Sequence, residues 1–118
     1  AKAAGAGSLT IWGTGTPRRE FLHVDDCADA CVHLMQVYSD ASHVNVGSGS
    51  DVTIRTLTEM VCQVVGFGGE IVCDPSKPDG TPRKLMAADK LRGLGWQPRI
   101  PLEDGLRTTY DWFLAHVA

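Results

Sequence analysis

The sequence predicts a small α/β domain in which a few short strands pack against about four helices. Short β-branched segments end in Gly-rich turns, longer segments show apolar residues at helical spacing, and the two kinds alternate along the chain. The 118 residues give room for one such domain. Because a sheet of about three short strands usually needs further structure to pack against, we expect this domain to belong to a larger protein.

The first half of the chain predicts strand, loop and helix in that order. Residues 8–12 are apolar and β-branched and end at the turn residues G-T-G-T-P, and residues 19–22 form a second short extended segment. Asp25 and Asp26 then open a helix, because the free N–H groups of a first turn favour carboxylates. The predicted inward stripe of this helix is Val24, Cys27, Ala28, Cys31, Leu34, Met35 and Tyr38.

The second half begins with a strand at 43–46, where apolar residues alternate before a Gly-Ser turn. Thr53 is placed to cap a helix that shows an apolar face from Ile54 to Val65 and ends at Gly66. The remaining predicted elements are a strand at 70–74, a turn-rich loop at 75–82, a short helix at 88–94 that ends at Gly95, and a final helix from about residue 102 with Leu106, Tyr110, Phe113 and Val117 inward.

Composition excludes several classes of function. The chain is 43% hydrophobic and 21% charged with a net charge of −3, so a basic surface for nucleic acid is not expected. No apolar run approaches the roughly 20 residues of a membrane span. Residues 1–7 are small, predicted to be flexible, and lack an apolar signal core. We therefore expect a cytoplasmic protein with neither a nucleic-acid nor a membrane partner.

Of the four cysteines, Cys27 and Cys31 are one helical turn apart with apolar neighbours and are predicted to be reduced thiols of the core. The four occupy positions 27, 31, 62 and 73, without a C-x-x-C pair and without histidines at zinc-finger spacing. A metal or redox role is the less favoured alternative. Gly13-x-Gly15 and Gly47-x-Gly49 each match half of a dinucleotide fingerprint and are better explained as turns. The residues thus predict no metal site, no cofactor site and no catalytic group on this chain.

Two cation-bearing stretches stand out on this acidic chain. Five of its 11 Lys and Arg residues lie in them, namely Arg18, Arg19, Lys77, Arg83 and Lys84. Both stretches are stiffened by Gly and Pro, which favours local recognition of an anion such as a diphosphate. The alternative is that Arg19 pairs with Asp25 or Asp26 and that the second loop is merely solvated.

Two other side chains in these stretches could contact the organic part of such a ligand. The indole of Trp12 could lie flat on a base or a sugar. The carboxylate of Asp79 could accept from two adjacent N–H groups, as on the edge of guanine, although a turn-forming role before Gly80 is the simpler explanation.

Longer motifs carry a resemblance to a known family. They are W-G-T-G-T-P-R-R-E-F-L-H-V-D-D at 12–26, S-H-V-N-V-G-S-G at 42–49, S-K-P-D-G-T-P-R-K-L at 76–85, L-G-W at 94–96 and Y-D-W-F-L at 110–114. With them the chain resembles the C-terminal part of the GDP-L-fucose synthases, which are epimerase/reductases of the extended short-chain dehydrogenase/reductase family. The resemblance implies an oxidoreductase and isomerase of nucleotide-sugar metabolism that converts GDP-4-keto-6-deoxy-D-mannose to GDP-L-fucose.

The resemblance also implies a division of labour. Residues 1–118 would be the substrate-binding domain of a larger, homodimeric enzyme, inactive alone. The Rossmann domain, NADP(H), the Ser/Thr-Tyr-Lys group and the acid/base cysteine and histidine would lie outside this chain. Two alternatives remain: a self-associating interaction domain that binds no nucleotide, or the same domain from another nucleotide-sugar epimerase or dehydratase.

Residue by residue, the resemblance implies a GDP-sugar site. Trp12 and Arg19 match substrate-contacting positions, and Asp79 falls on the substrate-side loop. Arg83 matches the position at which related enzymes hold the diphosphate, with Lys84 as the alternative. We expect the guanidinium groups of Arg19 and Arg83 to converge on the same two phosphoryl groups.

Overall fold

The computed structural model describes residues 1–117 as two small sheets flanked by helices. A single 3-10 turn at Lys2–Ala4 precedes them. The strands are β1 (Ser8–Trp12), β2 (Arg18–Glu20), β3 (Asp51–Thr53), β4 (Glu70–Asp74) and β5 (Arg83–Lys84), and the helices are α1 (Val24–Val37), α2 (Ile54–Val65), α3 (Asp89–Gly93) and α4 (Leu102–His116). This confirms the predicted α/β class with few short strands and four helices.

The strands form two separate sheets. In the first, β1 and β4 run parallel, with Ser8 opposite Glu70 and Trp12 opposite Asp74. In the second, β2 lies in the middle, antiparallel to β3 and parallel to β5. The loop between β1 and β2 and the loop between β4 and β5 connect one sheet to the other, so they determine how the candidate site is assembled.

Local sequence signals account for the helix ends. The ring of His23 accepts a hydrogen bond from the Asp25 amide at the start of α1, and the hydroxyl of Thr53 accepts from the Thr56 amide at the start of α2. Such side-chain caps satisfy N–H groups that have no partner within the helix. Helix α2 ends at Gly66, whose φ of +70° suits glycine.

The buried core is small and lies beside α1 and α3. Ala30, Leu91 and Trp96 are buried in it, and the partly buried side chains around them are Leu22, Leu34, Val44 and Val46. The indole N–H of Trp96 donates to Asp29 at 2.7 Å. The buried carboxylate of Asp26 accepts from the amides of Arg99 and Ile100, which attaches the segment before α4 to α1.

The predicted strand at 43–46 is not formed, and β3 lies at 51–53 instead. Val44 and Val46 pack against the core cluster, which explains their alternation. Alternation reports which side chains are covered, whereas a strand also needs a neighbouring backbone to bond with. The two-residue strand β5 was not predicted, because so short a segment has no periodicity to detect.

The predicted inward stripe of α1 is also largely wrong. Val24 is 71% exposed and Met35 is 84% exposed, whereas Asp26 and Ala30 are the buried residues of this helix. Cys27 and Cys31 are free and exposed, so they are not core thiols, although Cys62 is buried. The small Ala30 side chain lets α1 approach Leu91 and Trp96 closely, and Leu34 packs against this core, whereas Val24 and Met35 face outward.

The prediction for α4 is correct only for its first half. Leu106 and Tyr110 are half-buried, whereas Phe113 and Val117 are exposed.

The whole body is flat, at 52 × 34 × 18 Å with a radius of gyration of 17.0 Å. A radius of gyration of roughly 13 Å is typical of a compact domain of about 100 residues, so this body is more extended than a compact domain. Within residues 1–117, no helix combines the length and the apolar character needed to cross a bilayer.

Candidate functional site

The two inter-strand loops are fastened to each other by Asp79. Its carboxylate accepts from the Thr14 amide at 2.6 Å and from the Thr14 hydroxyl at 2.8 Å. Gly13 makes this approach possible, because its φ is +77° and a Cβ there would lie 2.1 Å from an Asp79 oxygen. The loop at 75–82 therefore lies directly over the end of β1.

Trp12 stands at the carboxyl end of β1, next to this junction. Its indole is 71% exposed, and the Nζ atom of Lys77 lies 5.7 Å from the ring centroid. This distance is within the range of a cation–π contact. The carboxyl ends of parallel strands are frequent places for ligands in α/β proteins. Trp12, Lys77 and Asp79 thus form one cluster, with an exposed aromatic surface.

In the second sheet, a carboxylate lies between two guanidinium groups. One Asp51 oxygen is 2.9 Å from Nε of Arg18, and the other is 2.5 Å from Nε of Arg83. The Asp51 side chain is only 3% exposed, although both arginines reach solvent. The hydrogen bond from Arg83 is the main cause that lowers the pKa of Asp51, and that from Arg18 adds to it against the opposing effect of burial.

Arg19 and Lys84 lie on the opposite face of this sheet. They face each other in register between β2 and β5, one position after the Arg18 and Arg83 pair. Because successive side chains of a strand point to opposite faces, the two pairs are separated. Arg19 donates to the Arg18 carbonyl at 2.7 Å. Within residues 1–117, neither Arg19 nor Lys84 makes an ion pair, so two cations stand together without a counter-charge.

A cavity of about 260 Å³ opens beside Arg19. Its polar lining comes from Arg19, Ser48, Ser50 and Arg99, and the apolar lining comes from Phe21, Leu22, Val52, Pro98, Ile100, Pro101 and Leu102. A mixed lining of this kind suits a ligand that has both a charged and an apolar part.

The predicted site residues are therefore brought together in two groups. Asp79 binds Thr14 two positions after Trp12 at the end of β1, and Arg19 and Lys84 are register partners on one face of the second sheet. Arg83 lies on the neighbouring strand, but its guanidinium is on the Asp51 face, so the side chains of Arg19 and Arg83 do not converge. The alternative pairing of Arg19 with Asp25 or Asp26 is also not formed.

Sequence reasoning missed the residues that support this arrangement. No motif singles out Asp51 or Glu20, and the sequence places Arg18 only among the five clustered cations, without a role of its own. The Glu20 carboxylate accepts from the Gly49 amide at 2.6 Å and from the Met86 amide at 3.1 Å, which holds the chain after β5. No local signal marks these residues, because their partners lie more than 25 positions away in the chain.

Comparisons with known proteins agree with the motifs. The model of the NAD dependent epimerase/dehydratase family matches residues 1–47. The chain is 60% identical to GDP-L-fucose synthase 1 of Arabidopsis thaliana over 117 residues, which is 99% of this chain and 36% of that protein. It is 50% identical to GDP-L-fucose synthase of Escherichia coli (strain K12), covering 97% of this chain and 38% of that protein.

A solved structure shows the same fold. It is a GDP-L-fucose synthetase from Naegleria fowleri bound to NADP, with a TM-score of 0.89 at 26% identity over 96% of this chain and 36% of that one. The chain thus spans a little over a third of the length of the proteins it matches. Because these matches cover nearly all of its residues, the chain is homologous to the GDP-L-fucose synthases along its length and belongs to the extended short-chain dehydrogenase/reductase family.

Proposed function

We propose that this chain binds the GDP end of a GDP-sugar as part of an NADP-dependent epimerase/reductase that makes GDP-L-fucose. The observation that carries the proposal is the uncompensated cation pair, Arg19 and Lys84, in a chain 60% identical to a GDP-L-fucose synthase. We further propose that the whole enzyme is a cytoplasmic homodimer and that this chain is inactive alone.

The chemistry of the pair suits a diphosphate. A guanidinium fork matches two phosphate oxygens at once, and an ammonium adds a compact charge. Each charge-assisted hydrogen bond would contribute roughly 1.5–3 kcal/mol. Lys84 is the better partner for Arg19, because Asp51 already occupies Arg83. That Arg83 itself binds the diphosphate stays a prediction. The GDP affinity of Asp51→Asn, in which Arg83 is freed from its partner, tests it.

Trp12 and Asp79 would serve the nucleoside side of the same ligand. The exposed indole offers a flat surface for a base or ribose, and Lys77 over one part of the ring adds positive charge nearby. Asp79 already accepts two hydrogen bonds from Thr14, so its contribution would be to hold the loop at 75–82 over Trp12. The remaining lone pairs of the Asp79 carboxylate can accept hydrogen bonds from the edge of a guanine base.

In this proposal, parts of the enzyme outside this chain carry out the chemical steps at the reacting carbons. NADP(H), when bound, supplies the hydride for the ketone, and groups outside this chain move the protons of the epimerisations. The part described here holds the diphosphate and the base, so that the sugar points toward those groups. Binding energy from the remote nucleotide then places the reacting carbons.

Calorimetric titration of the 118-residue chain with GDP tests the proposal. Arg19→Ala and Lys84→Ala should each weaken binding about tenfold or more, given the size of a charge-assisted hydrogen bond. Arg107→Ala is the matched control, because Arg107 pairs with Glu103 on α4, away from both sheets. Equal losses in all three variants would show nonspecific charge attraction and contradict the proposal.

The choice of nucleotide separates this proposal from a relative that acts on another nucleotide sugar. We expect GDP to bind more tightly than UDP or dTDP, because the S-K-P-D-G-T-P-R-K motif resembles the GDP-sugar type. Preference for UDP or dTDP in the same titration would move the assignment to a different member of the family.

A second candidate function is self-association. Val24 and Met35 on α1 and Trp112 on α4 are large apolar side chains that are more than half exposed. Exposed apolar surface of this kind drives proteins to associate. This property is compatible with nucleotide binding, and light scattering over a range of chain concentrations tests it.

A further inference from the structure

We infer that Asp51 is a positioning residue for the candidate anion site, which by holding Arg18 and Arg83 on one face keeps Arg19 and Lys84 together on the other. This inference rests on the proposed function, because it concerns the side chains that would meet the diphosphate. Asp51 itself would not touch the ligand.

The Asp51 bridge holds both arginines through their side chains. Each Asp51 oxygen accepts from the Nε atom of a different arginine, and the Asp51 carbonyl also accepts from Arg18 at 2.8 Å. The bridge therefore joins all three strands of the second sheet, since Arg18, Asp51 and Arg83 lie on β2, β3 and β5. A carboxylate that is 3% exposed between two charge-assisted donors has little freedom to change partners.

The bridge also fixes the register of β5 against β2. Strand β5 has only two residues, so few ladder hydrogen bonds define its alignment with β2. A slip by one residue would exchange the faces of Arg83 and Lys84, because side chains alternate along a strand. The bridge opposes that slip, since it can form only when Arg83 lies on the Asp51 face.

The carboxylates near the cation pair already have other partners. Asp51 is shared by two arginines on its own face, and Glu20 is occupied by the amides of Gly49 and Met86. Both nearby carboxylates are thereby held away from Arg19 and Lys84. Neither of these two carboxylates therefore offsets the positive charge of Arg19 and Lys84, which remains able to attract an incoming anion.

The test is GDP affinity measured in a double-mutant cycle. Asp51→Asn should weaken GDP binding about tenfold, within the range of couplings for contacting groups. In the Lys84→Ala background the same substitution should change affinity less than about twofold, because its effect passes through Lys84. Asp89→Asn, which removes an exposed surface carboxylate paired with Arg92, is the matched control and should leave affinity unchanged.

The opposite outcome has a definite meaning. If Arg83 were the diphosphate ligand, freeing it from Asp51 would leave GDP affinity equal or higher in Asp51→Asn, and that result would overturn the inference. An equal loss with and without Lys84 would overturn it as well. If Asp51→Asn does not fold, Arg83→Gln breaks the same bridge from its exposed side while leaving Arg18 on Asp51. Its readout is the alignment of β2 with β5 rather than GDP affinity, because a loss of affinity in this variant would also follow if Arg83 were the ligand; Arg107→Gln is its control.

A measurement without ligand separates this inference from the proposed function. NMR contacts between the amide protons of one strand and the α protons of the next report the alignment of β2 with β5. We expect the contacts that join Arg19 to Lys84 to weaken in Asp51→Asn, even if the chain binds no GDP at all. Unchanged contacts would overturn the inference, whereas failure of the unmodified chain to bind GDP would count against the proposed function alone.

Discussion

At the scale of single residues, the site depends on which acidic side chains are already occupied. Asp26 accepts from two backbone amides, Glu20 accepts from Gly49 and Met86, and Asp79 accepts from Thr14. Asp51 differs from these three in that its carboxylate pairs with two arginines. The chain has more acidic than basic residues, yet it presents unpaired cations, because these carboxylates are used as internal hydrogen-bond acceptors.

The Asp51 bridge predicts a specific dependence of stability on pH. The arginine hydrogen bonds lower the folded pKa of Asp51 below its ordinary value of 3.8. A lowered folded pKa stabilises the fold above the unfolded pKa, and this stabilisation is lost as pH falls through the folded pKa. Asp51→Asn should therefore lower Tm at neutral pH, and the difference from the unmodified chain should shrink as pH falls below about 4.

Thermal melts followed by circular dichroism from about pH 7 to about pH 3 provide this comparison. Asp89→Asn serves as the control, since that carboxylate is exposed. Parallel Tm curves for the unmodified chain and Asp51→Asn would show that the bridge does not contribute in this way.

At the scale of elements, the structure is organised by loops that cross between two small sheets. The Asp79 carboxylate on one loop binds Thr14 on the other, and the Arg18 amide donates to the Pro82 carbonyl at 2.8 Å. These contacts bring the end of β1 and the start of β5 together. The position of Trp12 relative to the cation pair therefore depends on loop packing more than on either sheet.

Gly13 is the point at which this loop packing is most sensitive. Gly13→Ala should destabilise the chain by about 1–3 kcal/mol, because a non-glycine residue is strained at positive φ and the new Cβ displaces Asp79 from Thr14. Adding Asp79→Ala should recover the steric part of the loss but leave the backbone strain. Urea denaturation measures both free energies of unfolding.

Gly93→Ala is the matched control for this prediction. No atom lies within 4 Å of a Cβ at that position, which is in α3. Its effect should be neutral or slightly stabilising, since alanine favours helix more than glycine does. A Gly13→Ala variant as stable as Gly93→Ala would mean that the two loops do not meet as described.

At the scale of the whole molecule, the chain is a flat body with a small core. Its thinnest dimension is 18 Å, and few residues are fully buried. Much of its apolar surface lies outside, including Val24 and Met35 of the α1 stripe that periodicity predicted to be inward. A surface of this extent is expected to pack against other structure.

We therefore expect the isolated chain to self-associate in a manner that GDP does not alter. Light scattering over a range of concentrations should show oligomers, and Val24→Lys combined with Met35→Lys should reduce them. Gln36→Lys combined with Gln63→Lys is the matched control, because it adds the same two charges at exposed polar positions of α1 and α2. A monomer at every concentration would contradict this prediction.

Much of the fold could be predicted from local signals. The cap at Thr53, the stop at Gly66, the strands at 8–12 and 70–74 and the positions of the four helices depend on neighbours within a few residues. The segment at 43–46 and the stripe of α1 were mispredicted for one shared reason. An apolar pattern shows that side chains will be covered, but it does not show what covers them or from which side.

The sequence by itself determined the α/β class, the family resemblance and the concentration of cations in two Gly- and Pro-rich stretches. Only the tertiary structure decided that Lys84 rather than Arg83 stands beside Arg19. That choice depends on the register of β5 against β2 and on the Asp51 bridge. The bridge joins Asp51 to Arg18, which is 33 positions away in the chain, and to Arg83, which is 32 positions away. Alternation of side chains converts a one-residue difference in register into opposite faces, and register is set by contacts that no local pattern contains.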